Sequence, residues 1–213
     1  MKTKFALVLF LGGMLCGVVL SAGPVQGQVI DEVRRKELEY AATKTLEGAQ
    51  KLMNRGRYEE ALFDLIRIID YYPQYSRITE TLIEAGNCML SLRLYSAAES
   101  VYRYVVLTYT DSPMVPFALF GLEHLHYLRG NYKVAIDYFR LIRKRFPNAP
   151  LGEGIFYYGG QSFLYSNQFD NAITAFSAID EGSEYWGYAL YSRAQAYLKK
   201  KILRRPFPTS GEF

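Results

Sequence analysis

Four alanines, Ala61, Ala98, Ala135 and Ala172, stand 37 residues apart, and each follows an aromatic ring by three positions: Tyr58, Tyr95, Tyr132 and Phe169. The same step carries Leu65 to Tyr102, Phe139 and Phe176, and Ile68 to Val105, Ile142 and Ile179. When whole helix faces recur at a fixed period, each unit can bury its apolar side only against its neighbours, so the chain is restricted to a stack of like units. The expected fold class is all-α, a superhelical solenoid of antiparallel helix pairs.

Within each unit the spacing predicts helix, three-residue turn, helix. The first such turn falls at Arg55-Gly56-Arg57, where Gly56 can take a left-handed conformation without penalty. The second helix starts at Tyr58 and runs to about Tyr72, where Pro73 stops it. This divides the chain into repeats over 42–78, 79–115, 116–152 and 153–189. Over 190–213 comes a partial fifth repeat or capping helix with an irregular tail. A lead-in helix over 28–41 carries Val33, Leu38, Ala41 and Ala42 at helical spacing, with Asp31 as its N-cap. Ala49, Gly86 and Gly160 lie on the first helices, where two helices approach closely only past small side chains. Leu52, Met89, Phe163, Leu65, Tyr102, Phe139 and Phe176 fill the space between pairs, each burial contributing roughly 1.5–3 kcal/mol. The fifth first-helix is expected from Tyr188 to Lys201, with Tyr191, Ala194 and Tyr197 on one face, and to break from Ile202 onward. It reads equally as a cap or as an altered chain end.

Half the residues are hydrophobic, enough for a substantial core in 213 residues. Lys2 and Lys4 precede an apolar stretch from Phe5 to Leu20, and small residues follow at Ser21, Ala22, Gly23, Val25 and Gly27. That pattern marks residues 1–27 as a secretory signal peptide. Cleavage after Gly27 or Ala22 would remove both lysines and lower the formal charge of +4 by two. The uncharged run from Phe5 to Gly23 also comes close to spanning a bilayer, so an uncleaved anchor is the alternative. The residue before Cys16 is Leu15, where a lipoprotein signal wants glycine, alanine or serine. If Cys16 leaves with the signal, Cys88 is the one thiol left and reads as a buried inert one.

The run Gly56-Arg57-Tyr58-Glu59-Glu60-Ala61-Leu62 and its counterpart Gly130-Asn131-Tyr132-Lys133-Val134-Ala135-Ile136 resemble the tetratricopeptide repeat. The other two units put Arg93 and Asn167 at the turn glycine but keep the ring and the alanine. The family repeat has 34 residues; here three more lengthen the connection to the next unit. Connectors such as Arg145-Phe146-Pro147-Asn148-Ala149-Pro150-Leu151 are similar to those of bacterial envelope members, the barrel-assembly lipoprotein and the periplasmic coordinator of the Tol-Pal system. The resemblance implies a right-handed superhelix with first helices lining a concave, ligand-binding groove. Carried over position by position, it places Gln50, Asn87, His124, Gln161 and Gln195 in a polar ladder able to hydrogen-bond a peptide. Beside them it places Leu46, Met53, Ile83, Leu90, Phe117, Phe120, Tyr127, Tyr157, Leu164, Tyr165, Tyr188 and Tyr191. Aromatic density rises in the third to fifth units, and tyrosine gives contact area with little rotamer entropy. The lysines and arginines by which family members clamp a terminal carboxylate are replaced by Leu46, Ile83 and Phe120, so an apolar or aromatic-rich protein segment is the expected ligand.

Glu123 and His126 stand three apart on a helix, as in carboxylate-bridged metal bundles, but the other units have glycine at the place of Glu123 and lack the further carboxylates. Glu123 is expected to tuck toward a tyrosine or His126, partly solvated. Arg140, Arg143 and Lys144 alternate with core residues, and the second basic run, Lys199-Lys200-Lys201, closes the fifth helix. Both read as solvated faces, not as nucleic-acid patches. No phosphate loop, zinc-protease helix, Cys-x-x-Cys or nucleophile elbow is present, so neither an enzyme nor a cofactor is expected. The function expected is an exported scaffold of a bacterial periplasm or cell envelope, binding a protein or peptide partner in envelope assembly. The alternatives are a membrane-anchored subunit of a secretion, pilus or motility complex, and a noncatalytic region of a larger protein.

Overall fold

The computed structural model describes residues 32–204; the signal peptide expected over 1–27, the first residues of the lead-in and the tail over 205–213 lie outside them. The described residues form α1 (Glu32–Asn54), α2 (Tyr58–Tyr71), α3 (Ile78–Ser91), α4 (Tyr95–Thr108), α5 (Val115–Leu128), α6 (Tyr132–Arg145), α7 (Gly154–Tyr165), α8 (Phe169–Phe176) and α9 (Trp186–Arg204), with no strand among them. The all-α solenoid expected from the period is the fold observed.

Every odd-to-even turn is built alike. Gly56 (φ 73°), Arg93 (60°), Gly130 (74°) and Asn167 (58°) take the left-handed conformation just past the helix end. The next amide reaches back five residues: Arg57 to the Leu52 carbonyl (2.9 Å), Leu94 to Met89 (2.8 Å), Asn131 to His126 (2.8 Å) and Gln168 to Phe163 (2.9 Å). This pair of features satisfies the last carbonyls of the odd helix and folds the chain back on itself. Arginine and asparagine take this conformation at a cost that glycine avoids, and the back-bonded turn forms at their positions in spite of it.

Each odd helix packs against the even helices beside it in the chain and also touches the next odd helix; even helices do not reach one another. A stack whose members meet along one side and splay along the other must curve, with the touching side inside. The odd helices therefore line the concave face.

Large side chains seat on small ones between the layers. Tyr102 of α4 and Phe176 of α8 are fully buried against Gly86 and Gly160, where an added Cβ would lie 2.5 and 2.6 Å from the ring. In the third repeat Glu123 stands at that glycine position. Phe139 of α6 is instead found over Gly159 of α7, with 2.5 Å to a Cβ placed there, and is only half-buried. The core divides at this seam into two clusters, with Phe139 and Phe156 at the border of both. The alanine column is sealed: Ala61, Ala98, Ala135 and Ala172 are all 0% exposed. Ala135→Leu is expected to cost about 1–3 kcal/mol by overpacking, measurable as a lower urea midpoint.

The last helix departs from expectation in two ways. It runs to Arg204 instead of breaking at Ile202, and its face with Tyr191, Ala194 and Tyr197 is open to solvent. Ala189, Ser192 and Ala196 are the buried positions by which α9 rests on the solenoid.

Candidate functional site

The concave face has two chemically distinct halves, set by what the odd helices carry. On α1 and α3 it is polar. Gln50 donates through Nε2 to Glu80 Oε1 (3.3 Å), and Arg77 holds the same carboxylate through Nε (2.8 Å) and Nη2 (2.5 Å). That pairing raises the Arg77 pKa, outweighing the burial that lowers it. Asn87 accepts through Oδ1 from the Tyr102 hydroxyl (2.8 Å). Burial raises the Glu84 pKa, tempered by hydrogen bonds to Asn87 and Gln50.

On α5, α7 and the start of α9 the face is aromatic. Tyr158 is the hub, with ring centroids 3.9 Å from His124, 5.3 Å from Tyr157, 5.4 Å from Tyr127, 6.0 Å from Tyr185 and 6.2 Å from Phe120. Tyr127 continues the network to Tyr132 and Tyr165, which stack at 4.8 Å. Tyr157 extends it to Tyr185 (5.1 Å) and Tyr188 (6.2 Å). Offset and edge contacts of this kind add about 0.5–1.5 kcal/mol per pair beyond area burial, so the rings fasten successive odd helices together as well as forming a surface.

The electrostatics of the aromatic half are those of a neutral, partly dry surface. Burial drives the Tyr158 phenol well above its ordinary value, with neighbouring phenols adding to the rise. Burial likewise pushes Tyr127 up to about 12. His124 is lowered to about 4 by burial, so its imidazole is uncharged at neutral pH and stacks as a ring on Tyr158. The hydroxyl tips supply hydrogen bonds without charge.

The ladder residues all lie on odd helices, but most spend their polar groups inside the protein. Gln161 is 7% exposed and donates through Nε2 to Ser192 Oγ of α9 (2.8 Å), so it clamps α7 to α9. Gln50 and Asn87 are half-buried in the bonds above, and Gln195 is half-buried on α9. Among the flanking residues Phe117, Phe120, Tyr127 and Tyr157 are half-buried, whereas Tyr165, Tyr188 and Tyr191 are exposed. Tyr158 and Tyr185 join the site although the repeat positions do not single them out, and Tyr132, a ring of the repeat, joins it from α6. The Tyr157-Tyr158 doublet in a tyrosine-rich stretch was the available signal.

Glu123 is not partly solvated, in contrast to the sequence expectation. It is 0% exposed, and neither carboxyl oxygen has a hydrogen-bond partner within the protein. Desolvation raises its pKa well above the ordinary carboxylate range, so the neutral acid is the favoured form. The neighbouring His126 is 8% exposed, stacks on Tyr138 at 5.6 Å and leaves Nδ1 unpartnered. Among the described residues no group of three or more His, Cys, Asp or Glu side chains could hold a metal ion. Arg140 and Arg143 of α6 are exposed, with guanidinium carbons 5.6 and 4.9 Å from the ring centroids of Phe163 and Phe156 on α7.

The fold and the site define a helical-repeat solenoid of the tetratricopeptide-like kind. The chain is similar to a structure of nearly identical TPR-like repeats from a candidate kinesin light chain of Podosopora anserina, at TM-score 0.60 and 11% identity, covering 77% of this chain and 89% of that one. It is also similar to MamA, at TM-score 0.57 and 18% identity, covering 76% of this chain and 83% of that one. No family profile and no curated protein matches the sequence.

Proposed function

We propose that this chain is an exported, noncatalytic scaffold of a bacterial cell envelope that binds a protein partner on the aromatic half of its concave face. The observation that carries the binding site is the Tyr158 network, which joins three successive odd helices and leaves Tyr165 and Tyr188 more than half exposed. An extended segment rich in proline or aromatic residues suits such a surface, because ring faces take apolar contacts while phenol tips meet backbone carbonyls. The polar half, already engaged in its own ion pairs and hydrogen bonds, is the weaker candidate.

Peptides selected from a random library on the immobilised protein test the site. Rebinding to Tyr127→Ser/Tyr158→Ser should be weaker by about tenfold or more, the loss of one or two aromatic contacts. Equal affinity would remove the groove from the reading. Export rests on Lys2, Lys4 and the apolar run after them. Mass spectrometry of the protein from envelope fractions should find an N-terminus near Gln28 or Gly23; a retained Met1 would favour anchoring through the same segment. No helix among the described residues is long and apolar enough to cross a membrane.

A further inference from the structure

The seam between the third and fourth repeats departs from the earlier repeats in both its core and its connection. Inside it stands Glu123, 0% exposed and without a hydrogen-bond partner, in the column where Gly86 and Gly160 leave room for a ring of the paired even helix. The ring that belongs at this place, Phe139, is displaced onto Gly159 and only half-buried, and the two core clusters meet here. The connection from α6 to α7 runs over 146–153, longer than those over 72–77 and 109–114, and Gly152 within it is left-handed (φ 68°). On the outer side α6 holds this edge through side chains: Arg143 lies over Phe156, and Arg140 lies over Phe163 and donates through Nη2 to Gln168 Oε1 (3.3 Å). On the inner side α5 meets α7 through the stack of His124 on Tyr158.

The groups around α5 offer the Glu123 carboxyl no counter-charge. His124 and His126 on its own helix are pushed down from their ordinary value by burial. From α3, the Cys88 thiol is pushed up to about 12 by burial, and Glu84 is bonded to Asn87 and Gln50. Burial holds Tyr102 of α4, Tyr138 of α6 and Tyr158 of α7 as neutral phenols. Arg129 is paired with Glu99 of α4, Arg103 of α4 is exposed, Arg140 and Arg143 of α6 turn to the outer rings, and α7 carries no charged residue. An ionised Glu123 has only water to turn to, and the loosely filled seam is where water can reach it.

We infer that Glu123 is a proton-operated catch for the aromatic face: with its proton on, α5 closes on α7 and His124 stacks on Tyr158; with its proton off, water enters the seam and α7 swings away from α5 about its outer edge on α6. The control of binding rests on the reading of the aromatic half as the docking surface; the movement itself does not. Water returns the carboxyl to ordinary acidity, so each pH unit above about 4.3 favours the open seam by up to about tenfold, until the pKa of the closed form is reached. The aromatic face is thus assembled in acid and comes apart as pH rises.

Circular dichroism of the full chain tests the movement without a ligand. Between pH 5 and pH 8 the near-ultraviolet tyrosine signal of the parent should fall reversibly while the far-ultraviolet helix signal stays, and Glu123→Leu should keep both. A library-selected peptide should bind the parent about tenfold more weakly at pH 8 than at pH 5, and Glu123→Leu equally at both. A parent signal that is flat with pH, or a fall that persists in Glu123→Leu and so belongs to a histidine, would overturn the inference. So would a far-ultraviolet signal lost in step, which means that the whole chain unfolds, or peptide affinity for the parent that ignores pH. If no peptide binds at either pH while the parent and Glu123→Leu differ in the near ultraviolet as stated, the catch stands and the groove reading falls.

Discussion

Glu123→Leu should raise the unfolding temperature, and the gain over the parent should widen between pH 5 and pH 8. The carboxyl is wholly buried without a partner, and its pKa in the folded chain lies well above the ordinary value. A raised acid binds its proton more tightly in the folded state than in the unfolded one. Its contribution is thus fully present below the unfolded pKa of about 4.3, and is lost as pH rises from there toward the folded pKa, at about 1.4 kcal/mol per pH unit. Leucine has a similar volume and no proton to lose. The difference should therefore grow from pH 5 to pH 8, each kcal/mol moving the midpoint by about 2–4 °C in a chain of this size. Glu123→Gln should flatten the pH dependence with a smaller gain, since the amide is also unpaired. Parallel melting curves for parent and Glu123→Leu at both pH values would show that another group governs the titration.

The second large effect concerns Tyr102, whose ring is held on both faces. A Cβ added at Gly86 or Gly121 would lie 2.5 or 2.4 Å from ring atoms, and the hydroxyl is bonded to Asn87 at 2.8 Å. The ring has no free direction in which to yield. Gly121→Ala should therefore lose about 2 kcal/mol from overpacking, more than the ~1 kcal/mol that alanine gains over glycine in a helix. Gly48→Ala, with nothing within 4 Å of the new methyl, should instead gain about 0.5–1 kcal/mol. Tyr102→Ala should cost about 3–5 kcal/mol. Urea unfolding of the three variants gives the comparison, and equal stability for Gly121→Ala and Gly48→Ala would mean that the ring is free to move.

Much of this architecture is legible from Gly56, Gly130 and the alanine column, because a turn that needs positive φ and a seat that needs a small side chain leave few residue choices. Arg93 and Asn167 could be read through the ring and alanine that follow them. The site was harder. Tyr158 shares a column with Glu47, Glu84 and Gly121, so periodicity gives it no role, and its importance comes from His124 on the preceding odd helix. Similarly, the partners of Gln50, Asn87 and Gln161 stand 15 to 31 residues away, and their meeting depends on how closely the helices stack. Glu123 departs from its expected solvation for a related reason. Carboxylates ordinarily seek water, but its position is interior in every repeat, and position prevailed.

Contact between odd helices, absent between even ones, has a mechanical meaning. The inner side of the stack is a chain of fastened links, while the outer side has only the pairwise grip of each even helix on its neighbours. Bending that parts the inner side must separate Gln161 from Ser192 and the rings around Tyr158. The inner side is thus latched by side-chain links beyond the packing of each helix pair, and a ligand laid along the aromatic half would add to them.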